Sequence, residues 1–164
     1  MSARVHAMVE RRALLQATSL AEVLQGVARH RGRPVELQAL PADSDVGEVF
    51  GLCLPYPDRD VILFRTGAGP DHELHSILHE CGHLVLDHVA DAGADQTPAD
   101  PDRLAAMLPD LDPALVAAAL ARSSYEDVHE QEAETFAMVM REILDVGQRR
   151  RGDAVLARFD DALG

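Results

Sequence analysis

The sequence predicts an α+β domain in which helices pack on a small, mainly antiparallel sheet of about three strands. Three observations point there. Apolar residues recur at helical spacing over residues 20–28 and again over residues 133–144. Between them, over residues 34–65, the pattern changes to short apolar runs and alternation, which suits strands. A further helical frame, residues 74–89, is apolar on one side and carries histidines on the other. At 164 residues the chain is long enough for one core without staples. It reads as a single domain, residues 1–164, with its core over about 19–145.

Taken in order, residues 4–17 form a modest helix, with Val5, Met8, Val9 and Leu15 only roughly periodic. Ser19 and Glu22 make a capping box, and Leu20, Val23, Leu24, Val27 and Ala28 follow until Gly32 and Pro34 stop the helix. Val35, Leu37 and Ala39 alternate as a first strand, and residues 47–54 and 60–65 supply two more, joined by the turn at residues 55–59. Residues 90–102, rich in Ala, Asp, Gly and Pro, read as a flexible loop. Helical pieces are expected at residues 103–108 and after Asp112, whose side chain caps while Pro113 takes the first turn. Ser123 begins the last long helix, with Ala133, Phe136, Ala137, Met140 and Leu144 facing inward. Residues 146–164 are left as a tail or short helix, with the basic trio Arg149, Arg150 and Arg151 meeting a helix C-terminus.

Composition limits the function. Asp and Glu number 28 against 15 Lys and Arg, a formal net charge of −13, which opposes direct binding to phosphate backbones. No run approaches the ~18 apolar residues of a membrane span, and the first residues carry scattered charges rather than a secretory core. The two cysteines, Cys53 and Cys81, are too few for a disulfide framework. A cytoplasmic protein with no membrane and no direct nucleic-acid partner is the expectation.

Within the histidine-bearing helix, His79-Glu80-Cys81-Gly82-His83 spells H-E-x-x-H. Residues four apart share a helix face, so two imidazoles converge on one point, a ligand pair for an ion such as Zn²⁺. Glu80 can reach a metal-bound water as a general base. The bland alternative is a helix of solvated histidines. Against it stand the apolar frame and Gly82, which lowers helix stability by roughly 1 kcal/mol where Ala would do and so suggests a close neighbour. His75 extends the stripe, but it lies about 12 Å along the axis from His83, which suits a supporting or surface role rather than ligation. Cys81 reads as packing. A catalytic site needs a third ligand. Periodicity offers Glu130 on the inward face of the last helix, with Glu132 and Glu126 as rivals, and does not choose among them.

The motif H-E-C-G-H-L-V-L-D-H, followed by E-Q-E-A-E-T-F-A, resembles the ImmA/IrrE family of zinc metallopeptidases, whose usual form is HELGH with a later E-x-x-A-[ND]-x-F-A helix. The likeness extends over most of residues 19–145. It implies a zincin-like fold with one Zn²⁺ per chain, held by His79, His83 and Glu130, with Glu80 as catalytic base. His88 matches a histidine often found after the motif, without an assigned role. Glu134 stands where the family usually has Asn or Asp, a longer side chain that would orient a zinc-bound His differently. The resemblance further implies a zinc endopeptidase that cleaves or inactivates a helix-turn-helix transcription repressor in a stress or mobile-element response. The alternative is a non-catalytic zinc-bound regulator, or a toxin–antitoxin component, acting by binding alone.

Two roles stay open at this level. Tyr125 and His129 are candidates to stabilise the oxyanion, and spacing does not prefer either. The strand Val61, Ile62, Leu63, Phe64 and Arg65 lies a short turn from the motif helix. It is expected either to hold an extended substrate by main-chain hydrogen bonds or to be a covered structural strand.

Overall fold

The structure, a computed structural model, describes residues 3–11, 14–40, 51–88, 112, 114 and 127–163. Its elements in chain order are α1 (Ala3–Arg11), a 3-10 turn (Leu14–Gln16), α2 (Leu20–Arg31), β1 (Val35–Leu40), β2 (Gly51–Pro55), β3 (Asp60–Arg65), α3 (Pro70–Val85) and α4 (Asp127–Leu163). The expected loop at residues 90–102, the helical piece at 103–108, and Tyr125 and Glu126 lie outside the described residues. Of the Asp112 cap, one bond is described: Asp112 Oδ1 accepts from the Ala114 N–H at 2.9 Å. No helix among the described residues is long and apolar enough to cross a membrane.

The start of α2 follows its sequence. Ser19 Oγ accepts from the Glu22 N–H at 3.3 Å, and Glu22 Oε2 reaches back to the Thr18 N–H at 2.7 Å. Gly32, at φ 69°, ends the helix in the left-handed conformation that glycine adopts without steric cost. The expected helix over residues 4–17 is shorter, ending at Arg11 before the separate 3-10 turn.

The sheet is mixed rather than mainly antiparallel. Its order is β1-β3-β2, with β1 parallel to β3 and β2 antiparallel to it. The Tyr56 N–H closes the β2–β3 turn on Arg59 O at 2.8 Å, as the turn at residues 55–59 predicts. Because β3 inserts between the other two, Val61, Ile62, Leu63 and Phe64 are paired on both sides and offer no free edge to a substrate, while Arg65 pairs with Leu40 of β1. The four consecutive buried residues Asp60, Val61, Ile62 and Leu63 mark a strand covered on both faces. On β1 the alternation misleads: Leu37 and Ala39 are exposed and Leu40 is buried. The reason is reach, since α3 lies over β3 and β2 while α2 packs on β1.

The core lies between α3, α4, α2 and the sheet, and Ala133, Phe136, Ala137, Met140 and Leu144 all point into it. At Gly82 a Cβ would come within 3.0 Å of Ala133 Cα and 3.2 Å of Phe136 Cβ, so α4 approaches the α3 backbone closely here. Gly82→Val should therefore wedge the two helices apart and destabilise the protein by about 1–3 kcal/mol, read as a lower urea midpoint at unchanged slope.

The last helix does not stop near Leu144 but runs to Leu163. Gly147 is no terminator: a Cβ there would lie 2.9 Å from Thr18 Cγ2 and 3.0 Å from Ala17 O, so the glycine admits the chain leading into α2. Arg149, Arg150 and Arg151 consequently sit within the helix rather than at its end, and Arg151 pairs with Glu22 at 3.2 Å.

At the base of the sheet, Asp60 is fully buried and accepts from Arg31 Nε at 2.9 Å and Arg33 Nη2 at 2.6 Å. Arg31 also holds Asp87 at 3.1 Å, so one guanidinium ties the start of β3 to the turn after α3. Asp60→Ala should cost about 3–5 kcal/mol, because it strands two largely desolvated guanidinium groups. Denaturation with the metal removed measures it, and a loss below 1 kcal/mol would refute the cluster's structural role.

Candidate metal centre

The HExxH segment occupies the last turns of α3, where the four-residue spacing places His79 and His83 on one face. Their Nε2 atoms are 3.0 Å apart. Glu130, on the facing turn of α4, brings Oε2 to 3.2 Å from His79 Nε2 and Oε1 to 3.4 Å from His83 Nε2. Among the described residues these three form the group that can hold a metal ion. A tetrahedral ion with bonds of ~2.0–2.1 Å spaces its ligand atoms about 3.3–3.4 Å apart. The observed separations bracket that value, and among the described residues two imidazoles and one carboxylate supply three of the four positions. The fit is good.

The electrostatics follow from crowding. Burial lowers the pKa of His83 to about 4, His79, His88 and His129 add to the effect, and Glu130 opposes it. Burial also acts downward on His79, but the Glu130 hydrogen bond and the charges of Glu80, Glu130 and Glu134 outweigh it, so its pKa rises. Glu130 is held below the usual carboxylate range chiefly by its hydrogen bond to His79, against the opposing effect of burial. His83 is thus a neutral imidazole facing an anionic carboxylate, the protonation state that metal ligation requires.

Glu80 packs against Gly51 of β2 and is 8% exposed. Burial pushes its pKa up to about 7 with help from the Glu130 charge, while the charge of His79 and then hydrogen bonds from the Cys53 thiol and main-chain N–H pull in the opposite direction. Space for its carboxylate comes from Gly51, where a Cβ would lie 2.8 Å from Glu80 Oε1. Sequence reasoning misses Gly51 and Cys53 as parts of the site because both contacts cross from strand to helix, and a lone glycine at a strand start is no signal. Cys81 is fully buried in the core, and burial raises its thiol pKa.

The remaining candidates fall into two groups. Glu134 Oε2 lies 3.0 Å from His75 Nε2 and 3.5 Å from His79 Nδ1, so His75 reaches the site only through Glu134 and stays outside the ligand set. His88 Nδ1 lies 3.2 Å from His83 Nδ1, and its Nε2 is 3.1 Å from Glu132 Oε2. Glu132, a rival for third ligand, is therefore engaged away from the converging nitrogens. His129 stacks on His88, with ring centroids 4.1 Å apart and planes at 14°.

No family model, curated protein or solved structure compared with the chain matches it.

Proposed function

We propose that the protein is a zinc-dependent endopeptidase whose substrate is a protein, in the first instance a helix-turn-helix DNA-binding repressor. The supporting observation is the convergence of His79, His83 and Glu130 on one point, with the buried carboxylate of Glu80 on the same helix. Zinc suits two imidazole nitrogens and a carboxylate, and when bound it supplies Lewis acidity for a scissile carbonyl and for water, whose pKa it brings to ~7. Glu80 takes a proton from the attacking water and delivers it to the leaving amide nitrogen. His79, His83 and Glu130 would hold the ion. The repressor as substrate rests on the resemblance to ImmA/IrrE peptidases and on the net charge of −13, which favours a basic protein partner.

The test is to incubate the zinc-loaded protein with helix-turn-helix regulators from the same genome and to follow intact masses. A cut that disappears with chelator supports the reading. Complex formation without a cut under every metal and salt condition would favour a binding regulator or toxin–antitoxin component instead. Association should weaken at high salt, since the screening length falls from ~10 Å at 0.1 M to ~3 Å at 1 M.

A further inference from the structure

We propose that His88 is a positioning residue for the metal ligand His83, at the inner end of a relay that runs through Glu132 to Arg4. The inference rests on the metal-centre reading above. Each link is on the structure: His83 Nδ1 to His88 Nδ1 at 3.2 Å, His88 Nε2 to Glu132 Oε2 at 3.1 Å, and Arg4 Nη1 to the same Glu132 oxygen at 2.9 Å. The proton positions follow without choice. His83 must present the Nε2 lone pair to the ion, so its proton sits on Nδ1 and is donated to His88 Nδ1. His88 then carries its proton on Nε2 and donates it to Glu132, whose acceptor oxygen Arg4 holds in place. Every donor meets an acceptor.

Two further features aim the relay. The chain leaves α3 through Asp87 at φ 59°, in the left-handed region, and the His88 N–H returns to His83 O at 3.0 Å. This is a six-to-one helix-ending bond, and it folds His88 back over His83. Arg31 pins the Asp87 carboxylate at 3.1 Å, and Arg4 Nη2 donates to Leu86 O at 3.0 Å, so the turn is clamped from α2 and α1 together. The stack of His129 on His88 fixes the plane of the ring.

The two histidine ligands are thus supported unequally. His79 Nδ1 has Glu134 at 3.5 Å, beyond good hydrogen-bond length, from a side chain 48% exposed. The His83 relay passes first through His88 and Glu132, side chains only 4% and 12% exposed, before it reaches Arg4, which is 53% exposed. A metal-binding histidine whose second nitrogen is fixed in a dry site loses about 10–100-fold in metal affinity when that partner is removed. The relay should therefore carry that effect on the His83 side.

The experiment measures zinc affinity by competition with a chromophoric chelator, with the cobalt-substituted absorption spectrum as a second reading. His88→Phe keeps the ring and the stack but removes both nitrogens, and should weaken zinc 10–100-fold and alter the cobalt spectrum. His88→Asn keeps an acceptor for His83 and should recover part of the loss, which a merely space-filling role would not give. Arg4→Met, remote from the ion, should weaken zinc by a few fold while leaving the melting temperature of the metal-free protein within a few degrees. Should His88→Phe not fold, the long-range proton–nitrogen spectrum of the zinc-loaded wild type decides, because the relay requires the Nδ1–H form of His83 and the Nε2–H form of His88. Wild type that binds zinc while folded His88→Phe binds it equally well, or the opposite tautomer at His88, overturns the relay alone. Failure of wild type to bind zinc overturns the metal-centre reading and the relay together.

Discussion

Glu80→Gln should keep its zinc and its fold and lose about 10²–10⁴-fold in hydrolysis, the range that a positioned general base contributes. An amide oxygen can still accept the hydrogen bonds from Cys53 that the carboxylate receives, so the side chain need not move. What it cannot do is accept a proton from water. A second reading of the same variant needs no substrate. In the metal-free protein, burial raises the Glu80 pKa from 4.5 to about 7, so the folded state binds this proton more tightly than the unfolded state. Stability from that source is complete below pH 4.5 and is lost as the pH rises through about 7. The difference is worth about 3 kcal/mol at 1.36 kcal/mol per unit. Metal-free Glu80→Gln should therefore gain on wild type by up to about that amount between pH 5 and pH 8. A variant that cleaves at the wild-type rate would sink the general-base role, and parallel stability curves would show that the carboxylate is better solvated than its burial indicates.

Those parts of the fold that depend on local chemistry are legible in the sequence. The Ser19 cap, the left-handed Gly32 and the inward face of α4 follow from spacing and residue type, and each stands where expected. Gly82 shows how a local anomaly announces a distant contact: a helix-weakening residue inside an apolar frame implied a close neighbour, and that neighbour is Ala133. Pairing between strands is different, because three short runs do not state which of them lies in the middle. One clue was available in the run Val61, Ile62, Leu63 and Phe64, whose lack of alternation suits a strand buried on both faces better than an edge. The expected tail or short helix over residues 146–164 is instead a continuation of α4, and Gly147 within it admits the backbone that leads into α2, a contact no local pattern announces. The relay from Arg4 to His83 joins residues 79 positions apart in the chain, through a side chain that periodicity could rank only as a rival ligand.

Alanine at Glu130 and at Glu132 should separate a ligand from a support. Glu130 places both carboxylate oxygens within 3.4 Å of the converging histidine nitrogens, whereas Glu132 Oε2 is shared between His88 and Arg4. Removing one of three protein ligands leaves too few to hold the ion, so Glu130→Ala and His79→Ala should each weaken zinc by more than the roughly 100-fold that losing an outer partner costs. Glu132→Ala should fall within the 10–100-fold range, because it releases His88 without vacating a coordination position. The metal-free proteins supply the control. Glu130→Ala takes away the hydrogen bond that raises the His79 pKa, so that histidine should titrate lower than in wild type, while Glu132→Ala should leave its titration unchanged. Elemental analysis after dialysis against a weak chelator gives the order directly. Full zinc in Glu130→Ala together with an empty Glu132→Ala would reverse the assignment, making Glu132 the third ligand.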